Sequence, residues 1–248
     1  MKNFFRRKLR QFSKSVRKYR DRIRGLETPK LTHEAIARLV GRPDPTILEI
    51  GCNDGSDTLR FLKATPRAKL FCFEPDPRAI ARFKKNLGPR LNDVKLFEIA
   101  LSDRTGQIDF HMSDGVSAEM PQGWDRSGSI RPPAEHLRIA PWVKFEKTVK
   151  VNTCRLDDWA AEHDVTRVDF IWMDVQGAEA DVILGASKIL QQTRFLYTEY
   201  SDVELYEGQL SLKEILALLP SFDVLAQYPD DVLLRNRTLA GSEEKARL

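Results

Sequence analysis

Apolar residues fall along the chain in two alternating patterns, short solid runs and helical stripes. The runs Ile47–Ile50, Leu70–Phe73, Val168–Met173 and Phe195–Glu199 are mostly apolar and uninterrupted. Strands buried on both faces of a parallel sheet look like this. A further strand is expected over Val94–Ala100. Between the runs lie stripes at helical spacing. Leu59 and Leu62 follow Ser56; Ile80, Phe83 and Leu87 follow a cap at Asp76 and Pro77, with Gly88 as the stop. Val182, Ile183, Ala186, Ile189 and Leu190 line a helix after the fourth run. Shorter helices are predicted from the Thr32 cap to Val40, over Leu156–His163, and from the Ser211/Glu214 capping box through Leu219. Phe222–Gln227 and Val232–Arg235, joined by Tyr228-Pro229-Asp230-Asp231, read as a hairpin. Strand and helix in alternation predict an α/β fold: a doubly wound, mostly parallel sheet with an antiparallel hairpin at its C-terminal end.

Two stretches depart from that rhythm. Gly106–Phe110 leaves the sheet and Thr148–Cys154 returns to it, leaving an inserted loop over 111–147 that is irregular from Met112 to Lys147. Pro121, Pro132, Pro133 and Pro141 stiffen it, and Trp124 and Trp142 stand within it. A long loop in a compact domain serves as a functional lid or as a packed connection, and both readings stand. At the other departure, Phe5, Leu9, Phe12, Val16, Tyr19 and Ile23 form an amphipathic stripe ended by Gly25 and Pro29. Residues 1–25 carry four lysines and seven arginines against Asp21 alone, a balance of +10 that leaves −6 on the rest of the chain. Such an arm is built to lie on an anionic membrane surface. Docking on its own domain, pairing in a dimer, or a transit-peptide role are the competing uses. The expected organisation is an arm over 1–25, one domain over 26–238 and a disordered tail over 239–248.

Composition narrows the class. With 248 residues, 42% hydrophobic and 31% charged, the chain suits one soluble domain with a sizeable core. No apolar run reaches the length of a membrane span, and the amino terminus has no apolar secretory stretch. Three cysteines, an odd number, point to reduced thiols and a cytoplasmic setting, with the arm at the inner face of the membrane. No pair of them has metal-ligand spacing.

The chemistry begins at the first strand. Ile47-Leu48-Glu49-Ile50-Gly51-Cys52-Asn53-Asp54-Gly55-Ser56 is a strand, a glycine turn and a helix start, the ligand-binding end of a doubly wound sheet. Gly51 and Gly55 permit backbone angles closed to other residues and a close ligand approach. A dinucleotide fingerprint wants a third glycine where Ser56 stands, and Glu49 would repel a pyrophosphate. A cation with an amino group suits the site better, and S-adenosylmethionine is one. The turn therefore offers Glu49, Gly51, Cys52, Asn53 and Gly55 as cofactor residues. The second strand ends in Glu74 and Pro75; Glu74 lies 19 residues after Gly55, near where such folds place the acid that grips ribose hydroxyls. A plain glycine turn and a solvated strand end are the alternatives.

Taken together, Ile47–Thr58, Phe71–Pro77, Leu96–Asp103, Leu156-Asp157-Asp158-Trp159 and Asp169–Ala186 resemble the FkbM-type branch of the class I S-adenosylmethionine-dependent methyltransferases. The resemblance implies that Ala100 and Leu101 approach the adenine and that the acceptor is an oxygen of a sugar, glycan or secondary metabolite. Asp174, ending the fourth strand, is the candidate for both cofactor contact and catalysis. His111 is a second candidate base, because imidazole titrates near neutrality; a structural role is its alternative. Asp174 and Glu199 together could hold a divalent cation. The family usually reads Lys-Ile-Asp-Val-Glu-Gly where this chain has Trp172-Met173-Asp174-Val175-Gln176-Gly177, so a lysine and one acid are missing. His33 and His163 are expected on helix surfaces. Rival functions are a nicotinamide-dependent oxidoreductase and a membrane-attached S-adenosylmethionine-binding protein without catalysis. Nucleic acid is a weak candidate partner, since the body shows no aromatic–basic platform for bases.

Overall fold

The computed structural model describes residues 31–116 and 123–239. The arm over 1–25 and all but the first residue of the expected tail lie outside the described residues. The first described helix, α1 (His33–Val40), starts where the Thr32 hydroxyl accepts the Ala35 amide and stops at left-handed Gly41. β1 (Thr46–Ile50), α2 (Ser56–Ala64), β2 (Lys69–Phe73), α3 (Pro77–Leu87) and β3 (Val94–Phe97) follow. Asp76 caps α3 by accepting the Arg78 amide at 2.8 Å, and Pro77 fills the first helical position, where no donor is needed. Next come β4 (Ala100–Leu101), β5 (Gly106–Asp114), a single turn α4 (His136–Ile139) and β6 (Lys144–Cys154). The remaining strands and α-helices are α5 (Leu156–Glu162), β7 (Val168–Met173), α6 (Glu179–Leu184), β8 (Thr193–Glu199), α7 (Leu212–Leu218), β9 (Phe222–Gln227) and β10 (Asp231–Asn236).

The main sheet has seven strands in the order β3-β2-β1-β7-β8-β10-β9. The first five are parallel. β10 enters between β8 and β9 and is antiparallel to both. This is the class I methyltransferase arrangement, and the order reverses beside β1, so the crevice between β1 and β7 opens at their carboxyl ends. Side chains alternate across the sheet. Leu48, Ile50, Phe71, Phe73, Ile171 and Met173 enter one core with residues of α5, α6 and α7. Ile47, Leu70, Cys72, Phe170 and Trp172 enter the other, with residues of α1, α2 and α3. Both faces are covered, which is why the strands read as solid apolar runs.

Several expectations change. The strand expected over Val94–Ala100 stops at Phe97, where its pairing with β2 ends; Ala100 and Leu101 then pair with Thr153 and Cys154 in a separate three-stranded sheet, β4-β6-β5. The excursion is more regular than its composition suggests. Pairs Met112↔Lys147 and Asp114↔Lys144 extend β5 and β6 beyond the expected ends at Phe110 and Thr148, across one register shift. His33 is buried, 5.3 Å from the Trp172 ring and edge-on to Phe61 at 4.4 Å, because α1 lies against the sheet. His163 is half-buried and stacks on Trp159 at 5.0 Å. No described helix is long and apolar enough to cross a membrane.

The Leu156-Asp157-Asp158-Trp159 segment has a structural use. Trp159 packs edge-on against Phe71, Phe73 and Phe97. Asp157 accepts the Lys188 and Ile189 amides at 3.0 and 2.9 Å and the Ser187 hydroxyl at 3.0 Å, closing the turn after α6. Replacing it strands buried amides, so Asp157→Ala is expected to destabilise the domain by about 2–4 kcal/mol in urea unfolding. A change below about 0.5 kcal/mol would show that water takes over its role.

Candidate functional site

Three turns meet at the carboxyl ends of β1, β2 and β7, and backbone contacts join them. Gly51 and Cys52 both donate to the Phe73 carbonyl, at 2.9 and 3.0 Å, and Asp174 donates to the Ile50 carbonyl at 2.9 Å. Gly51 has φ +85°, and a Cβ there would stand 1.8 Å from the Asp174 carbonyl oxygen. Gly55 has φ +80°, and its Cβ would meet Leu87 at 2.5 Å and Phe83 at 2.9 Å. The sequence reading gave both glycines to ligand approach. The structure adds a second reason at each: Gly51 allows the close approach of two turns, and Gly55 the packing of α2 on α3.

Glu74 ties the β1 turn to the β2 turn. It is buried, and its two oxygens accept the Asn53 amide at 2.8 Å and the Asp76 amide at 2.9 Å. Burial pushes its carboxyl up to about 7, although both amides favour the ionised form. Pro75, half-buried, follows it into the cap of α3. Glu49 is also buried; it accepts the Thr58 hydroxyl at 2.6 Å, and burial pushes it well above the ordinary carboxylate range. Its carboxyl is thus engaged beneath the turn. Cys52 packs in the core beside α2, and Cys52, Cys72 and Cys154 are all free thiols. Asn53 takes left-handed φ 44°, and its buried Oδ1 has no hydrogen-bond partner among the described residues. Ala100 and Leu101 are both buried, with Leu101 in the main core.

On the β7 side, Asp174 is half-buried and its charge adds to the upward shift of both Glu74 and Glu179. Glu179 is buried, accepts the Gly177 amide at 3.1 Å, and is pushed to about 7 chiefly by burial. Gln176, left-handed at φ 53°, donates from Nε2 to Asp174 Oδ1 at 2.5 Å and to Glu199 Oε2 at 3.2 Å. The Tyr206 hydroxyl reaches Gln176 Oε1 at 3.3 Å and the Ser127 carbonyl at 2.8 Å. The amide of Gln176 therefore sits between the two carboxylates considered as cation ligands. Among the described residues no group of three or more His, Cys, Asp or Glu could hold a metal ion. The carboxylate pair as built does not fit a divalent cation, because a neutral amide nitrogen takes the shared position.

The inserted segment is a strap pinned over these turns. Arg126 reaches Asp54 of the β1 turn at 3.2 Å, and Arg82 of α3 holds Asp125 at 2.6 Å. Arg131 grips Asp181 with two bonds of 2.7 Å. Ser129 pairs with His111, and Pro133 with Tyr206. Trp124 and Trp142 meet edge to face at 6.1 Å, both half-buried. His111 lies on the small sheet, where its ring meets the Thr148 hydroxyl at 3.3 Å and its backbone pairs with Ser129. It does not join the carboxylates around Asp174 through any of these contacts. His136, in the same insertion, is buried against Phe145 and Tyr206.

A turn hemmed by Glu74, Asp174, Glu179 and Glu199 favours a positively charged ligand, and the unpartnered Asn53 oxygen asks for a donor. A sulfonium with an ammonium group meets both demands. Residues 49–226 match the Methyltransferase FkbM domain. The chain belongs to the FkbM methyltransferase family. It is therefore an S-adenosylmethionine-dependent methyltransferase. The 2-O-methyltransferase NoeI of Sinorhizobium fredii is 53% identical over 94% of this chain and 93% of its own length. The hexuronic acid methyltransferase AglP of Haloferax volcanii is 23% identical over 63% of this chain and 56% of its own length. Fibrillarin of Aeropyrum pernix, solved with natively bound S-adenosyl-L-methionine, superposes with a TM-score of 0.43 at 13% identity over 81% of this chain and 72% of its own.

Sequence reasoning found the FkbM turns but passed over Glu179 and Tyr206. Glu179 sits two residues beyond Gly177, where an acid in the first turn of a helix carries no signal of burial; Tyr206 lies in a loop with no pattern of its own. The raised carboxyls set a pH dependence. Folding favours the protonated form of Glu74 and Glu179, so their contribution is full below the ordinary carboxylate pKa and lost as pH rises through about 7. Each is expected to cost roughly 1 kcal/mol of stability between pH 6 and pH 8. Urea unfolding at the two values checks this, and Glu179→Gln is expected to flatten the dependence. Stability that rises over that interval would count against it.

Proposed function

We propose that this FkbM methyltransferase transfers a methyl group to a sugar hydroxyl, with Asp174 taking the hydroxyl proton. The 53% identity to a 2-O-methyltransferase along nearly the whole of both chains carries the reading. The name of AglP adds a sugar-derived acceptor among the relatives. Bound S-adenosylmethionine supplies an electrophilic methyl on a sulfonium. Glu74 would accept hydrogen bonds from its ribose hydroxyls through lone pairs that the Asn53 and Asp76 amides leave over, since a carboxylate accepts about four. Gly51 and Asn53 would hold its amino acid end at the β1 turn, where the Asn53 oxygen has no partner among the described residues. With the cofactor bound, the acceptor oxygen would form its new bond to the methyl carbon as the carbon–sulfur bond breaks with its electrons on sulfur, and Asp174 would take the oxygen's proton. Alignment and proton removal are the protein's share.

Incubation with methyl-labelled cofactor and a panel of sugars tests the reading. The expected product is an ether that survives mild alkali; label found only as an alkali-labile ester would overturn it. Asp174→Asn is expected to lower kcat roughly a hundredfold or more with a smaller effect on cofactor affinity. Unchanged turnover would remove Asp174 from the role. Glu74→Gln is expected to weaken S-adenosylmethionine binding by about 1.5–3 kcal/mol in titration calorimetry. Because ribose donors favour the ionised carboxylate, wild-type affinity is expected to rise with pH through about 7, with proton release on binding.

The +10 charge and apolar stripe of residues 1–25 support a second, separate reading, peripheral attachment to an anionic membrane. The full chain is expected to co-sediment with anionic but not neutral vesicles, and a chain beginning at Leu26 with neither. Equal binding by both chains would assign the arm another use.

A further inference from the structure

The Asp174–Glu199 pair looks at first like half of a cation site, and the residue between the two carboxylates decides otherwise. A side-chain amide has two N–H groups on one nitrogen, and Gln176 points that nitrogen at one oxygen of each carboxylate, at 2.5 and 3.2 Å. The orientation follows from chemistry: ionised carboxylates only accept, so the nitrogen faces them and the amide oxygen turns to the Tyr206 hydroxyl at 3.3 Å. The backbone holds the side chain there at a cost. Gln176 has φ 53°, a left-handed angle that a residue other than glycine or asparagine adopts only where its surroundings enforce it. Next to it Gly177, at φ +93°, presses against Tyr206, whose ring would stand 2.7 Å from a Cβ there. Glu179 accepts the Gly177 amide and fixes the same turn from below.

We propose that Gln176 is a positioning residue that occupies, with a neutral amide, the place a divalent cation would take between Asp174 and Glu199, so that methyl transfer runs without a resident metal. The bridge holds Asp174 in the orientation from which it takes the acceptor proton, and in this respect the inference rests on the proposed function. The strap contributes through the Tyr206–Ser127 bond, which anchors the far end of the bridge at 2.8 Å. A third carboxylate at position 176 would reverse the arrangement, because three convergent carboxylates provide the hard oxygen ligands that magnesium and manganese prefer.

The test pairs Gln176→Glu with the wild-type enzyme and reads manganese binding by electron paramagnetic resonance, which needs no acceptor and stands whether or not a sugar is methylated. Wild-type protein is expected to bind no manganese at about 100 µM, and Gln176→Glu to bind it at least about tenfold more tightly. In the methyl-transfer assay, a chelator is expected to leave wild-type turnover unchanged, whereas Gln176→Glu loses turnover and recovers part of it with manganese. Gln176→Ala removes the bridge without adding charge and covers the case in which the acidic variant does not fold. It is expected to lower kcat about tenfold or more while S-adenosylmethionine affinity stays within about twofold. Wild-type activity lost to a chelator and restored by magnesium would overturn the proposal. So would wild-type kcat in Gln176→Ala, or manganese binding by Gln176→Glu no tighter than by the wild type.

Discussion

The contact between Gly51 and the carbonyl of Asp174 is the constraint on which the rest of the site depends. A methyl group at Gly51 would overlap that oxygen at 1.8 Å, so the β1 and β7 turns close on one another only if position 51 has no side chain. The Asp174 amide bonds the Ile50 carbonyl at the same place. From this weld the other contacts follow. Gly51 and Cys52 reach β2 through the Phe73 carbonyl, Asn53 reaches it through Glu74, and Asp174 is held where Gln176 can bridge it to Glu199. The crevice of an open α/β sheet lies where the strand order reverses; here backbone contacts set its width.

Charge at the crevice runs against stability and toward function. Glu49, Glu74 and Glu179 are buried carboxyls whose ionisation burial opposes, and Asp174 adds its field to two of them. A protein built for stability alone would not gather them. The arrangement suits a positively charged ligand. The bridging amide of Gln176 does similar work for Asp174 and Glu199, with N–H dipoles in place of a metal charge.

Over the crevice lies a segment whose composition promised irregularity. Its prolines and glycines gave no period to read, yet its bonds to Asp54, Arg82, Asp181 and Tyr206 place it firmly against the turns. Its described residues pack against the turns, whether the segment serves as lid or as connection. It also carries Ser127, the far anchor of the Tyr206 hydroxyl, and so is joined to the turn after β7 through Gln176.

The sequence by itself determined most of the strands, their order of appearance, the caps of the helices at Thr32, Asp76 and Ser211, and the positions of the glycine turns at the strand ends, because these are written in local periodicity and in residues within a few positions of one another. It also determined the family, through motifs that are each a strand end and its turn. Only the tertiary structure decided which way the buried acids face and what they hold. Glu49, read as a cofactor acid, accepts the Thr58 hydroxyl; Glu74, read as the ribose acid, also staples two turns. The end of the third strand at Phe97, the burial of His33 and the place of His111 on the small sheet were likewise set by partners distant in sequence. So was the bridge at Gln176, which joins residues 174, 199 and 206. Local patterns fix elements, whereas the partner of a polar side chain depends on which chain segments folding brings beside it.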